Sequence, residues 1–362
     1  VDDIELDWVL TVNDARTGTF IAYVDSSAST WSTGIAPDGT STETIKTDDA
    51  ETPWGPGELA ALFDPNDRLL VRWWGDVPVY AHKIEEFDYS RDEATVKLTA
   101  CELLREADWR LVGQADADKY VTLTITNRSP SGAIRAALER MQFWSVDWKY
   151  PIDLPADGAG DITDKWPFWK KNRISDIIKQ IEDRAGVETY LRPYRTTGRD
   201  IRFETIVAKR ITVGATYFDL DAEDLPLSGV HYKVDAKRQV TGIVGVGNGT
   251  GEDQETRWAG RGNFHIPIRD VTESFPDLTG DALQKAVDNY YAVNIFPITQ
   301  WSIGEFILSN GHTITEALPA RRWEVKSKGD PVIPDGIHAL RVIKISGDNS
   351  RTVKTEVQGA AA

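Results

Sequence analysis

Apolar and polar positions alternate through much of the chain. Trp8, Leu10 and Val12 alternate with Val9 and Thr11, residues 13–18 make a turn, and residues 20–24 return, which is the pattern of a β-hairpin. Residues 25–55 are rich in Ser, Thr, Gly and Asp with few apolar anchors, and predict a long exposed loop. Residues 58–63 read as a short helical turn, closed by Asp64-Pro65-Asn66-Asp67. Residues 68–100 hold three apolar runs, parted at Gly75-Asp76 and at residues 88–93. In the third run Ala94, Val96, Leu98 and Ala100 face one way, and Thr95, Lys97 and Thr99 the other. A three-stranded meander with one wet face is expected.

The middle of the chain changes period. Val121, Leu123 and Ile125 make a strand. Ser129-Pro130 then supplies an N-cap and a proline at the first helical position, ahead of Ala133, Ile134, Ala137, Leu138 and Met141 at helical spacing. After a loop rich in Pro and Gly, Ile174, Ile177, Ile178, Ile181 and Ala185 form the stripe of a second helix, with Gly186 as its stop. A hairpin turning at residues 196–200 follows. Strand, helix, loop, helix and hairpin together predict a compact α+β module.

Beyond it β patterning returns. Val240, Gly242, Val244 and Val246 alternate into a glycine-rich loop, a helix starts near Thr279, and strands resume at residues 301–308. The last stretch repeats features of the early meander: a Gly-Asp or Asp-Gly turn, an apolar strand, a polar turn, then Thr95-Val96-Lys97 in one and Thr352-Val353-Lys354 in the other. Two similar β-domains flanking an α+β insert is the reading, with chance likeness of two hairpins as its alternative.

Composition narrows the function classes. The 362 residues suit two or three domains, and 41% hydrophobic content suits folded cores. No apolar run reaches membrane-spanning length, and the N-terminus lacks the basic and apolar regions of a secretory signal, so neither is expected. A formal charge of −16 disfavours classical nucleic-acid binding and favours solubility or a DNA-repelling channel wall. Cys101 is the only cysteine, which excludes an internal disulfide and a multi-cysteine zinc site; it reads as a small core residue. His82, His231, His265, His312 and His338 form no recognisable pair.

Candidate chemistry is sparse. The Gly245–Gly251 loop has no helix directly after it to hold a phosphate, and reads as a flexible turn. Asp221/Asp224 and Glu85/Glu86 are conceivable acid–base pairs, but 57 acidic residues make such neighbours common. Thirteen tryptophans are more telling. Trp144, Trp148, Trp166 and Trp169 fall together in the middle module as a possible sugar or partner contact. Trp73 and Trp74 sit in mid-strand as a possible subunit interface, and core packing is open for all six. Adjacent strand residues face opposite sides, so one of Trp73 and Trp74 is expected to face a second layer or a neighbouring chain.

Three stretches carry a resemblance: DWVLTVNDARTGTFIAYV, then ELAALFDPNDRLLVRWWGDVPVYAHKIEEF, and the helix of residues 173–186 before its hairpin. In these the chain resembles the minor tail proteins of long-tailed phages infecting actinobacteria, the hub at the tail tip or baseplate. The resemblance implies a β-rich α+β protein with two tube-like β-barrel domains, at residues 1–114 and 213–362, flanking an α+β insert at 115–212. A helix at about 279–292 belongs to the second. It implies a structural, non-enzymatic trimer without cofactor or metal, joining the tail tube to the tip complex and framing the DNA channel. Expected partners are its own copies, a distal tail or tail-tube protein and other tip or fibre proteins. DNA would pass the lumen unbound, and the chain would not insert into membrane. The expected location is the distal end of the virion tail, after assembly in the host cytoplasm. A carbohydrate-binding adsorption protein is the alternative, and a cell-wall hydrolase a further and less expected one, because many such relatives carry their wall-degrading domains in C-terminal extensions and none is expected here.

Overall fold

The computed structural model describes residues 7–48, 55, 57–113, 119–143, 149–260, 267–309 and 311–359. It is a β-rich α+β fold with several sheets. Two compact units emerge: one joins the chain up to Gly229 with everything from Ile303 onward, and the other is Val230–Ser302.

The larger unit opens with β1 (Trp8–Asp14), β2 (Phe20–Val24), β3 (Ala28–Gly34) and β4 (Thr40–Lys46). After helix α1 (Glu58–Leu62) come β5 (Arg68–Trp74), β6 (Val77–Ser90) and β7 (Thr95–Glu102). Its insert holds β8 (Thr122–Arg128), α2 (Pro130–Phe143), β9 (Ile152–Asp153), β10 (Ile162–Pro167), α3 (Ile174–Ala185), β11 (Glu188–Arg195) and β12 (Ile201–Ala208). β13 (Ala215–Asp219) and β14 (Leu227–Ser228) follow. The smaller unit contains β15 (His231–Asp235), β16 (Gly242–Val246), β17 (Thr256–Gly260), β18 (Asp270–Ser274), α4 (Gly280–Asn294) and β19 (Ile298–Ser302). The chain then returns to the larger unit through β20 (Glu305–Ile307), β21 (Arg322–Ser327), β22 (Gly336–Gly347) and β23 (Thr352–Gly359).

Thirteen strands make one sheet, in the order β14-β20-β23-β22-β3-β4-β7-β6-β5-β1-β2, with β21 on β22 and β13 on β21. The end strands do not pair, so the expected closed, tube-like barrels are corrected to a single open sheet. The cause lies in β22. Its first half, from Gly336 to Arg341, pairs with β21, whereas Lys344 to Gly347 pairs with β3. The edge that a closing barrel needs is thus occupied by the other half of the chain. The two halves nonetheless share a strand order, β3-β4-β7-β6-β5-β1 against β14-β20-β23-β22-β21-β13. They differ in that β1 meets β5 antiparallel and β13 meets β21 parallel.

The predicted loop at residues 25–55 is a second correction, because β3 and β4 lie in the interior of this sheet. Their inward positions are Ser29, Trp31 and Thr33 in β3 and Ser41, Glu43 and Ile45 in β4, all buried. Four of these six are polar and hydrogen-bonded, so only Trp31 and Ile45 remain as apolar anchors and the hydrophobic alternation is too sparse to read.

β5 explains its own composition. Leu69, Val71 and Trp73 point to one side and join Ile125, Ile134, Leu138, Ile177, Ile181 and Phe203 of the insert in the main core. Leu70 points to the other side, into a core with Leu10, Val12, Phe63, Ile84 and Leu98. A strand covered on both faces reads as one continuous apolar run. In the insert, Ser129 Oγ accepts from Gly132 N–H at 3.1 Å to cap α2, and α3 stops at Gly186 with φ 61°. The smaller unit packs α4 through Leu283 and Val287 onto Ile243 of a three-stranded sheet.

Candidate functional site

Where the two halves meet, the larger unit builds a dense polar joint. β3 presents Trp31 opposite Gly347 of β22. A Cβ on Gly347 would come 2.7 Å from the Trp31 ring, so this approach requires glycine. The turn after β22 is held residue by residue. Trp31 Nε1 donates to Asp348 C=O at 3.2 Å, and Trp8 Nε1 donates to Ser350 C=O at 2.7 Å. The Arg72 guanidinium donates to Asn349 Oδ1, whose amide in turn donates to Ser26 C=O at 3.1 Å. Arg72 also lies 5.3 Å over the Trp8 ring. Trp8 meets Trp31 and Trp74 edge-on, at 5.5 and 4.9 Å.

Beneath these rings sits Glu43, fully buried. Its carboxylate accepts from Ser29 Oγ at 2.7 Å, Tyr80 Oη at 2.6 Å and Ser26 Oγ at 2.6 Å, with Arg72 Nη1 at 3.7 Å. Apart from Ser26, in the turn between β2 and β3, this set comes from the alternation of strands. Arg72 follows Leu70 and precedes Trp74 on one face of β5, and Glu43 faces them from β4. Burial, and then the neighbouring Glu43 carboxylate, hold the Tyr80 phenol well above its usual range. His82 stacks on Tyr80 at 4.3 Å and shares a proton with Ser41 Oγ at 3.0 Å; burial pushes it down to about 3, so the ring is neutral.

This arrangement fastens rather than reacts. Glu43 is saturated with donors and His82 is out of solvent. Burial pushes the Cys101 thiol up to about 12, which keeps it from acting as a nucleophile near neutral pH. Asp221, Asp224, Glu85 and Glu86 are all exposed. The glycine-rich loop runs from β16 through a short turn of 3₁₀ helix at Gly251–Asp253 into β17, with no α-helix behind it. Among the described residues no group of three or more His, Cys, Asp or Glu side chains could hold a metal ion. A cleft of about 690 Å³ is lined by Glu182 and Asp183 of α3, by Glu188 of β11, which bonds Arg341, and by Arg341, Lys344 and Glu356 of β22 and β23.

Among the described residues, the tryptophans singled out from the sequence are dispersed. Trp73 is fully buried, with Nε1 donating to Thr11 Oγ1 at 2.9 Å, and Trp74 is buried on the opposite side against Trp8. Both are inside the chain, facing two different layers of it. Trp166 is buried and donates to Gln180 Oε1 at 2.9 Å, while Trp169 is 63% exposed. Trp144 and Trp148 lie outside the described residues. Sequence reasoning missed Arg72, Glu43, Tyr80 and Asn349. The available signal was a charge inside an apolar strand, Arg72 within LLVRWW, and an acid within the polar run STETIK.

No protein-family model and no curated protein sequence matches the chain. Solved structures do. The chain is similar to the tail protein from Neisseria meningitidis, at 11% identity and TM-score 0.55, over 98% of this chain and 97% of that one. It is similar to the 43 kDa tail protein of prophage MuSo2 from Shewanella oneidensis, at 9% identity and TM-score 0.56, over 97% and 98%. It is also similar to a chain of the Francisella PdpA–VgrG complex, at 9% identity and TM-score 0.54, over 98% of this chain and 58% of that one. At such identities the likeness is one of fold.

Proposed function

We propose that the chain is a structural component of a phage tail, a hub of the tip or baseplate in which three copies surround the channel for DNA. The observation that carries this reading is the end-to-end likeness of fold to two tail proteins, which leaves almost none of either chain unmatched. The joint described above supplies the means of assembly. β22 receives β3 along its second half. By strand order β6 is the counterpart of β22 and β14 the counterpart of β3. The outer edge of β6 beyond Ile84 and the outer edge of β14 carry no further strand among the described residues. Pairing β14 of one copy with β6 of the next repeats the internal joint between copies, a heterologous contact that closes a ring. The net charge of −16 suits a wall past which DNA phosphates slide without adhering. Tube and tip proteins are the neighbours this role requires, and its work is mechanical rather than catalytic.

Electron cryomicroscopy of particles carrying the chain tests the proposal. Three copies around the tail axis at the distal end are expected. Particles whose tails lack the chain overturn the tail role, and a single copy per tail overturns the ring.

A further inference from the structure

The insert carries a surface that the sheet and its joint leave unused. Trp109 is 78% exposed, Tyr120 77% and Trp169 63%. The backbone brings their three segments together. Ile174 N–H donates to Arg110 C=O at 2.8 Å, Val112 N–H to Asn172 C=O at 3.4 Å, and Phe168 N–H to Val121 C=O at 2.7 Å. Each exposed ring is within a residue or two of one of those segments.

Cations interleave with the rings. Arg110, Lys119, Lys170, Lys171 and Arg173 lie in the same three segments, against Asp108 and Asp176 among the described residues. Asp176 already accepts from Arg173 N–H at 3.1 Å. Lys119 Nζ stands 5.1 Å from the Tyr120 ring centre, Lys170 Nζ 5.6 Å from that of Trp169 and Lys171 Nζ 3.6 Å from that of Phe168. Counted by sequence over residues 108–121 and 168–176, five cations stand against four acids, Asp116 and Asp118 included, so within a chain of net charge −16 this strip is positive on balance.

Three kinds of anionic partner are conceivable, and the composition separates them. A stacking ligand, such as a single-stranded nucleic acid, needs open ring faces, but an ammonium already occupies one face of Tyr120 and of Trp169. Protein interfaces favour Tyr, Trp and Arg but are depleted in Lys, and three of these five cations are lysine. Rings at the level of lipid headgroups, with lysine ammoniums reaching the phosphates beside them, match the strip in both respects. We propose that the strip of Trp109, Tyr120 and Trp169 with its flanking lysines and arginines docks the protein onto an anionic lipid surface. The protein lies on that surface without crossing it; among the described residues no helix is long and apolar enough to span a bilayer.

The test is co-sedimentation of the full chain with phosphatidylcholine vesicles, with or without phosphatidylglycerol. Binding is expected only to the anionic vesicles, weakening as salt rises, with tryptophan emission shifted to the blue. Lys170→Glu with Lys171→Glu, and separately Trp109→Ala with Trp169→Ala, should each lower partitioning by roughly tenfold. Trp258→Ala, an exposed tryptophan of the smaller unit, should leave it unchanged. Circular dichroism verifies that each variant is folded. No binding to anionic vesicles, or binding that the strip variants leave intact, overturns the proposal. So does strip-dependent binding of a single-stranded oligonucleotide without vesicle binding.

Discussion

Glu102 shows how one side chain ties stability to pH. It closes β7, where its carboxylate accepts from Thr33 Oγ1 at 3.0 Å and Gly34 N–H at 3.1 Å. Burial, with Asp38 nearby, pushes it up to about 7 even though these donors oppose the shift. The folded state therefore holds this proton more tightly than the unfolded chain does. Stability contributed by the protonated acid is complete below the unfolded value, declines as pH climbs towards 7, and is gone above it. Glu102→Gln, which mimics the protonated acid, is expected to match the wild type at pH 4. At pH 8 it should exceed the wild type by up to about 3 kcal/mol, as read from urea denaturation at the two pH values. Equal stability of the two proteins at pH 8 would show that the carboxylate is ionised without cost.

Helix α3 shows where the elements draw their stability. Ile174, Ile177, Ile178 and Ile181 are all buried in the main core, the same cluster that holds Leu69, Val71 and Trp73 of β5. Ile177→Ala removes a fully enclosed side chain and is expected to cost about 2–4 kcal/mol in chemical denaturation, with no change in secondary structure by circular dichroism. This stripe, the Ser129 cap and the Gly186 stop were legible in the sequence, because each is a local pattern with a fixed period. β3 and β4 were not legible. Apart from Trp31 and Ile45, their buried side chains are hydroxyls and one carboxylate, Glu43, whose partners Tyr80 and Arg72 lie on other strands. The opposed facing of Trp73 and Trp74 followed from the period of a strand, whereas Trp8 as the neighbour of Trp74 is a long-range fact that no local pattern encodes.

At the scale of the molecule, the smaller unit enters after β14 and leaves before β20, whose pairing brings Gly304 N–H to Ser228 C=O at 3.0 Å. Gly229 and Gly304 approach so closely that a Cβ on Gly229 would be 3.4 Å from Gly304 Cα. Replacing residues 230–302 by a two-residue turn is therefore expected to leave the larger unit folded. A single cooperative unfolding transition in calorimetry should report this, and a molten product would refute it. The likeness of strand order in the two halves was visible in outline from the repeated Thr-Val-Lys strands. The open sheet was not, since it depends on β22 passing from β21 to β3. That passage also sets a timetable. Trp8 and Ser350 are bonded across 342 positions of chain, and β3 must wait for β22. On a ribosome adding about 5–20 residues per second, the early strands stand with an unfilled edge for roughly 15–60 s before their partner emerges. Until β22 arrives, that edge is open to pairing with any other polypeptide that presents a strand.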